Sequence, residues 1–427
     1  MSVPSLWPAR RKPLVAVTAI AIMASLAACS SSGSSSGGST SGVSADGGST
    51  VASTGAGASG SPINIGVLGA FSGPLAAAAV PTRDGVLAWV NTVNASGGIN
   101  GHPVKAYVED DKGDPATSTQ ALRTLVETDH VVALVGPYAN NTEGVWASYL
   151  QSHGVPVVGG SQATDIWTTS PMYYGVGNGV DIRSIAMAYG PTQDGASKAF
   201  GMYCVEVANC KTALAQVQSY ASKVGVEWKG SVAVSVTSAN YASVCLQAKN
   251  SGATAMPVFL PPSDFDRVVQ ACHQQGFDPI YAANAGALTS TSLTTSFLQG
   301  HLFAYLNAFP LDIPAASDYL KAMAKYSPKV DLNANTGQIG WTAGALFGTA
   351  LKNISPSTTV TSTDVVNGLN SITADDLGGL LPQPITFKKG EPHAALSCIF
   401  TAHLKDDKLA TDPKPLCQDT ALSGVPG

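Results

Sequence analysis

The chain has 427 residues, which is too long for one ordinary hydrophobic core and predicts about two domains. Apolar residues make up 44% of it and charged residues only 12%, roughly half the usual share, which excludes a charged coiled coil and a polyelectrolyte tail. The formal net charge is −5, and it becomes −8 without the three cations Arg10, Arg11 and Lys12. We therefore expect no basic surface for a nucleic acid.

The N-terminal segment has the pattern of an export signal. The three cations precede fifteen uncharged, mostly apolar residues (14–28), a stretch shorter than the ~20 residues of a membrane-spanning helix. It ends in Leu26-Ala27-Ala28-Cys29, which resembles a lipoprotein signal-peptide box, in which the cysteine is diacylated and becomes the mature N-terminus. We therefore expect a signal peptide over residues 1–28 and a lipid on Cys29 that anchors the protein at the outer face of the cell membrane. An ordinary secretory signal with an incidental cysteine is the alternative, and the arginine pair leaves a twin-arginine export route open.

Residues 29–61 are predicted to be the lipidated cysteine followed by a flexible tether. From Ser30 to Ser61 the chain is nearly all Ser, Gly, Thr and Ala, and Asp46 is its only charged residue. Such a segment cannot bury enough apolar surface to fold. At a reach of roughly 30 Å, it is expected to connect the membrane to the folded body without entering the fold.

Six further cysteines predict disulfide bonds. An even number outside the cytosol is typical of disulfides, although the sequence alone permits fifteen pairings. Metal binding is the alternative, but Cys204 and Cys210 have neither the Cys-x-x-Cys spacing nor a nearby His. We expect no metal and no other cofactor. Chain proximity favours the pairs Cys204–Cys210, Cys245–Cys272 and Cys398–Cys417.

From Pro62 onward, short apolar runs alternate with helical patterns. Such alternation indicates βαβ units and a parallel sheet, and strands that are apolar on both faces indicate helices on both sides. Two series of this kind predict an α/β protein with two similar sheets. The first series has predicted strands at 63–68, 104–108, 131–135 and 155–158, and predicted helices at 82–93 (with Thr82 as a possible N-cap), 116–128 and 142–152.

The second series begins near Asp181. Its predicted strands are 199–205, 232–236, 255–260 and 280–283, and its predicted helices are 211–224, 241–251 and 264–274. Beyond Leu302 the pattern predicts helices at 315–326, 337–353 and 363–372, then edge strands at 385–387 and 398–404 with a turn at 405–407.

Four stretches in order resemble the type I periplasmic binding proteins of the branched-chain amino-acid group. They are IGVLGAFSGPLA (65–76), NASGGING (94–101), EDDKGDP (109–115) and VALVGP (132–137), and GVPVV (154–158) follows at the expected distance. The likeness covers roughly residues 62–409.

The resemblance implies two Rossmann-like lobes with parallel sheets, joined by a hinge of three crossovers. In the family the lobes close on a small ligand and deliver it to the permease subunits of an ABC transporter. By this template, lobe 1 combines residues 62–179 with 308–381, and lobe 2 combines residues 180–307 with 382–427.

The resemblance also implies a binding site at the carboxyl ends of the strands, where helix N-termini present free N–H groups. Two family loops hold the ligand's carboxylate, and here they span residues 138–142 and 159–164. The alternative is that Asn140 and Thr142 only cap the next helix. The expected ligand contacts in these loops are Tyr138, the side-chain donors Asn140, Asn141 and Ser161, Gln162, and the backbone N–H of Ala163.

Across the cleft, the family places an acid for the ligand's ammonium, and spacing puts Asp264 there. Asp264 could instead lie in the first turn of its helix, where the macrodipole favours a negative charge. Phe71 and Tyr138 could flank a ring or an apolar tail, or serve lobe packing. Ala78 stands where family members that bind amino acids usually carry an aromatic hydroxyl, so we expect a pocket less polar than an amino-acid site.

The sequence favours binding over catalysis. From residue 62 onward it contains no Gly-x-Ser-x-Gly, His-Glu-x-x-His or P-loop pattern, and its seven His are scattered. We therefore expect a monomeric extracytoplasmic receptor that captures an amino acid, an amide or another small carboxylate or aromatic compound and delivers it to an ABC permease. The alternatives are a sensing receptor coupled to a signalling partner and an enzyme with a site assembled in the cleft.

Overall fold

The computed structural model describes residues 49–51, 58–73, 75–140, 142–206, 208–237 and 240–423. The predicted signal peptide, Cys29 and most of the predicted tether lie outside the described residues, and so does the candidate ligand contact Asn141.

Two mostly parallel sheets form the centres of two lobes. The first sheet, in lobe 1, has the strand order β1-β3-β2-β4-β5-β6, with β1 antiparallel at one edge and the other neighbours parallel. Its strands are β1 (Ser49–Val51), β2 (Ile63–Gly69), β3 (Val104–Asp110), β4 (Ala133–Val135), β5 (Val157–Val158) and β6 (Tyr173–Tyr174).

The second sheet, in lobe 2, has the order β14-β13-β11-β10-β9-β7-β8. Strands β7 to β11 are parallel, and β13 and β14 add an antiparallel hairpin beside β11, while β12 and β15 form a separate antiparallel pair. These strands are β7 (Lys198–Cys204), β8 (Glu227–Val234), β9 (Ala255–Phe259), β10 (Ile280–Asn284), β11 (Leu302–Tyr305), β12 (Cys398–Ile399), β13 (Thr401–Lys405), β14 (Lys408–Thr411) and β15 (Leu416–Cys417).

Helices separate the parallel strands, as the alternating pattern predicts. They are α1 (Ala76–Ala95), α2 (Pro115–Arg123), α3 (Ala147–His153), α4 (Ile166–Thr169), α5 (Val180–Tyr189), α6 (Ala208–Ala221), α7 (Tyr241–Asn250), α8 (Pro262–Gln274), α9 (Ser290–Thr294), α10 (Ser317–Tyr326), α11 (Gly337–Ala350), α12 (Ser362–Asn370) and α13 (Gln418–Ser423). A π-helical turn at Thr124–Thr128 continues α2, and 3-10 turns lie at Glu143–Val145, Gly190–Asp194, Ser222–Val224, Ala285–Ala287, Ser296–Leu298, Pro314–Ala316 and Leu332–Ala334.

The chain passes between the two sheets three times, and the three connections lie side by side. The first connection contacts the third through the N–H of Gly179, which donates to Leu396 O at 2.9 Å, and the N–H of Leu396, which donates to Gly177 O at 3.1 Å. It contacts the second through the Asn178 side-chain amide, which donates to Leu306 O at 2.9 Å. The lobes are therefore linked by a narrow, hydrogen-bonded strip of backbone.

Helices α1 and α11 pack against each other at van der Waals distance. A Cβ added at Gly85 would lie 2.0 Å from Gly337 O, and one added at Gly340 would lie 1.9 Å from Thr82 O. The Thr82 hydroxyl donates to Thr336 O at 3.0 Å. This contact fixes the start of α11 against the first sheet.

The disulfides follow chain proximity. Cys204–Cys210 joins the end of β7 to the first turn of α6, Cys245–Cys272 joins α7 to α8, and Cys398–Cys417 joins β12 to β15.

Two predictions at the start of the body are wrong. The predicted tether contributes strand β1, whose residues pair with residues 106–108 of β3, because the open edge of β3 offers unpaired N–H and C=O groups. Thr82 is not an N-cap, since α1 begins at Ala76 with Leu75 as its N-cap. Alanines are the strongest helix formers, and they carry the helix through Pro81 in its second turn.

Predictions near the C-terminus also need correction. Residues 302–305 form the buried strand β11, whose four apolar residues are too few to show a period. Residues 385–387 form no strand and make one isolated bridge, between Ile385 and Asp375. The predicted strand 398–404 divides into β12 and β13, which pair with different partners.

Candidate functional site

A cavity of about 170 Å³ lies between the lobes, beside the three connections. Its walls come from the ends of β4 and β5 in lobe 1, from the starts of α5 and α11, and from the end of β10 in lobe 2. This is where an α/β protein with two sheets offers both strand ends and helix starts to a ligand.

Five of the predicted ligand contacts line this one cavity. Strands β4 and β5 are parallel neighbours, so the loops that follow them leave the sheet at the same edge. The loops also pack on each other, because Ser161 N–H donates to Pro137 O at 3.0 Å and a Cβ at Gly160 would lie 2.6 Å from the same oxygen. The five contacts are Tyr138, Asn140, Ser161, Gln162 and Ala163.

Tyr138 and Asn140 bring polar atoms to the buried side of the cavity. Burial raises the pKa of the Tyr138 phenol, while hydrogen bonding from Ser161 and Asn140 and the positive charge of Arg183 act in the opposite direction. The Asn140 Oδ1 atom is buried and has no hydrogen-bond partner among the described residues. This acceptor is therefore available to a bound molecule.

Buried carboxyl groups form hydrogen bonds that fix the two loops that follow β4 and β5. Asp111 accepts from the Thr142 hydroxyl at 2.5 Å, so the Thr142 side chain does not cap the following turn. Glu143 has no exposed surface and accepts from the Thr164 hydroxyl and from Trp167 Nε1 at 3.0 Å. Burial raises the pKa of Glu143 to about 7, against the lowering effect of these two hydrogen bonds.

Gln162 and Arg183 tie the second loop to the first connection. The Gln162 side-chain oxygen accepts from the N–H of Val176 at 2.6 Å and from that of Gly177. Arg183, in the first turn of α5, donates through Nη2 to Gln162 O at 3.0 Å and to Asn178 O at 2.8 Å. Arg183 therefore spans the junction between the lobes.

Phe71 and Asp264 lie outside the residues that line the cavity. Phe71 packs against the core, with the Arg83 guanidinium 5.4 Å from the centre of its ring. Asp264 lies in the first turn of α8, with 6% of its surface exposed. It accepts from the Tyr241 hydroxyl at 2.9 Å and from Arg267 Nη1 at 2.8 Å, the arrangement expected for a charge at a helix start.

The lining also contains residues that the sequence did not single out. Asn284 is the last residue of β10, so the rule that ligands bind at strand ends could have found it. Asn284 and Asn307 exchange side-chain amide hydrogen bonds of 3.1 and 3.0 Å. The others depend on how connections and helices pack, and they are Val176, Gly177, Asn178, Arg183, Asn307, Ala308, Thr336, Ile339, Thr342, Leu380, Leu381, Pro382 and Phe400.

The chemistry of the lining is that of a binding site. Among its described residues Arg183 is the one charged side chain, and the remainder are amides, hydroxyls and apolar groups. Across the described part of the chain, no group of three or more His, Cys, Asp or Glu could hold a metal ion. The cavity therefore offers hydrogen bonds, one cation and apolar surface.

Residues 62–408 match a family model described as periplasmic binding protein. None of the curated proteins compared matches the chain. In the described residues, no helix has the length and apolar character needed to cross a membrane.

Solved structures share the fold at low sequence identity. A fatty acid ABC transporter substrate-binding protein from Thermomonospora curvata is 18% identical, with 88% of this chain and 97% of that chain covered and a TM-score of 0.65. An R. palustris ABC transporter solute-binding protein in complex with 4-hydroxybenzoate is 17% identical, with 83% and 97% covered and a TM-score of 0.65. A branched-chain amino acid transporter substrate-binding protein from Streptococcus pneumoniae, in complex with isoleucine, is 16% identical, with 83% and 99% covered and a TM-score of 0.67.

Proposed function

The chain belongs to the periplasmic binding protein family, and on that premise we propose that it is an extracytoplasmic receptor whose lobes close on a small molecule. The observation that carries this proposal is the cavity between the lobes, which lies beside the three connections and is lined from both sides. A ligand there would contact both lobes and so favour their closed arrangement.

We propose that the receptor passes its ligand to the permease of an ABC transporter. The solved structures with this fold include transport proteins for a fatty acid and a branched-chain amino acid, and one holds 4-hydroxybenzoate. They support a ligand among the amino acids, amides, small carboxylates and aromatic compounds. They also support a binding role rather than catalysis.

The proposed ligand contacts are the five predicted residues in the cavity lining, together with Asn141 on the grounds of its sequence position. Phe71 and Asp264 are left out because the first packs on the core and the second is paired with Arg267. The proposed hinge is the strip of three connections.

Membrane attachment rests on the N-terminal sequence. We propose that residues 1–28 are removed and that Cys29 carries the lipid, which would place the receptor on the outer face of the cell membrane. Mass spectrometry of the mature N-terminal peptide tests this, and an unmodified Cys29 would contradict it.

A thermal-shift screen tests the receptor function. We expect at least one solute from a library of amino acids, amides, short carboxylates and aromatic acids to raise the melting temperature, because a ligand that binds only the folded state stabilises it. A library with no binder would count against the proposed function.

Two substitutions then test the site by calorimetry with the solute found. Asn140→Ala and Ser161→Ala should each weaken binding by about 1 kcal/mol, the usual contribution of a neutral hydrogen bond. Asn250→Ala, at an exposed position at the end of α7, is the control and should leave affinity unchanged. Unchanged affinity in both cavity variants would exclude this cavity as the site.

A further inference from the structure

We propose that the ligand is a small carboxylic acid that carries no ammonium group, and that Arg183 neutralises its carboxylate. This inference rests on the proposed receptor function and narrows its ligand class. Four features of the cavity support it: an unpaired cation, an unpartnered hydroxyl group at a helix start, no acid in the lining, and apolar walls.

Arg183 is a partly buried cation without a counter-ion. Its Nη2 donates to two backbone carbonyls and its Nε to Gly179 O at 3.4 Å, and carbonyls do not cancel a positive charge. No described carboxylate lies within 4.0 Å of it. Since an unpaired charge removed from water is costly, an anion in the cavity would lower the free energy of the bound state.

Thr336 provides an independent sign of a missing polar partner. Only 6% of its surface is exposed, and its hydroxyl oxygen is buried without a hydrogen-bond partner among the described residues. Thr336 is the N-cap of α11, a helix of 14 residues, and its side chain makes no capping bond. The positive end of the helix dipole therefore lies at this hydroxyl, where it favours an anion.

An ammonium group would have no negatively charged partner in the same cavity, where the acceptors are neutral. The described lining contains no Asp or Glu. Asp264, the acid predicted for a ligand ammonium, is paired with Arg267 and Tyr241, and Glu143, between the two loops, is bonded to Thr164 and Trp167. A ligand ammonium would instead be repelled by Arg183.

The apolar part of the lining and the cavity volume indicate the size and polarity of the rest of the ligand, beyond its carboxylate. Ile339, Leu381 and Phe400 line the cavity with apolar surface. Its volume of about 170 Å³ is below the ~300–1,000 Å³ typical of pockets for drug-sized ligands. The ligand is therefore a short aliphatic or aromatic acid.

Matched probes test the charge requirement on the unmodified protein by calorimetry. The pairs are 3-phenylpropanoate with L-phenylalanine, 4-methylpentanoate with L-leucine, and 4-hydroxybenzoate with 4-hydroxybenzamide. In at least one pair we expect the acid to bind, and at least tenfold more tightly than its partner. An amino acid or amide that binds as tightly as its matched acid would overturn the proposal while leaving the receptor function intact.

Two variants test Arg183 itself. Arg183→Gln keeps a donor for the backbone carbonyls but removes the charge, so acid affinity should fall at least tenfold while affinity for the amide probe changes less than threefold. Arg183→Lys keeps the charge and should retain more acid affinity than Arg183→Gln. Equal losses for acid and amide in Arg183→Gln would show that Arg183 only positions the loops, and would overturn the proposal. If no probe and no solute of the library binds, the receptor function fails and this proposal fails with it.

Discussion

Glu143 is a carboxyl group without exposed surface, placed between the two loops that line the cavity. Its hydrogen bonds to Thr164 and Trp167 join the loop after β4 to the loop after β5. Burial raises its pKa to about 7, whereas the same group in the unfolded chain titrates near 4.5. Glu143 therefore makes the stability of this region depend on pH.

The sign of that dependence follows from proton linkage. The folded state keeps the Glu143 proton to a higher pH than the unfolded state does, so its contribution to stability is fully present below about pH 4.5. That contribution is lost as the pH rises through about 7, and the loss is roughly 3.5 kcal/mol at most, at about 1.4 kcal/mol per pKa unit.

Glu143→Gln should remove this part of the pH dependence. In the neutral acid, one oxygen accepts from Trp167 and the protonated oxygen can donate to the Thr164 hydroxyl, which then turns from donor to acceptor. A glutamine amide reproduces this arrangement with its oxygen and its N–H. Denaturant unfolding at pH 5 and pH 8 should show a smaller loss of stability in Glu143→Gln than in the wild type, with the exposed Glu391→Gln as a control that behaves like the wild type. Equal losses in Glu143→Gln and the wild type would contradict the assignment.

At the residue scale, the sequence predicts those cavity residues whose positions are determined by the ends of parallel strands. Tyr138, Asn140 and Ser161 could be placed together because parallel neighbours β4 and β5 end at one edge. Arg183 could not, because its position depends on how α5 leaves the first connection and on the packing of the lobes. Asp264 shows the converse limit, since spacing alone does not reveal that Arg267 and Tyr241 occupy its carboxylate.

At the scale of elements, the contact between α1 and α11 determines one wall of the cavity. Gly85 and Gly340 allow the two backbones to approach, and the Thr82 hydroxyl bonds to Thr336 O. Thr336 and Ile339, at the start of α11, line the cavity. The glycines at the contact between α1 and α11 therefore place the start of α11 at the cavity, where a ligand can contact it.

Gly85→Ala should destabilise the protein by about 1–3 kcal/mol or more, because the new methyl group would lie 2.0 Å from a backbone oxygen that cannot rotate away. The matched control is Gly144→Ala, whose Cβ would meet nothing within 4 Å. The midpoint of denaturant unfolding measures both. A Gly85→Ala midpoint equal to that of the control would show that the helices can separate at little cost.

The sequence predicts helices and strands well where a hydrophobic pattern extends over many residues. It predicts them poorly where a short segment becomes a strand only by pairing with a neighbouring strand. The alternation of strands and helices predicts β2 to β5, β7, β9 and β10, because buried parallel strands form apolar runs. The prediction at 232–236 shares only three residues with the edge strand β8, because most of that strand is exposed or half-exposed and has no apolar run. Strand β11 has four residues and β1 three, and each is defined by its neighbour in the sheet. Residues 385–387 have strand-like composition but only one bridge, so they remain outside both sheets.

At the scale of the whole molecule, the strip of three connections makes closure the expected response to a ligand. The strip is held by a few hydrogen bonds, and the cavity beside it takes side chains from both lobes. A ligand in the cavity would replace water with contacts to Asn140 and Ser161 on one side and to Asn284 on the other. Its binding free energy then depends on both lobes being held together.

Hydrogen exchange with the tightest-binding solute of the library should detect this coupling. We expect slower exchange in peptides that contain Ser161 and in peptides that contain Asn284, at the same ligand concentration, because one molecule bridges both lobes. The hairpin of β13 and β14 lies outside the residues that line the cavity and should exchange unchanged, which provides an internal control. Protection confined to lobe 1 would mean that the ligand binds one lobe only and that the lobes do not close on it.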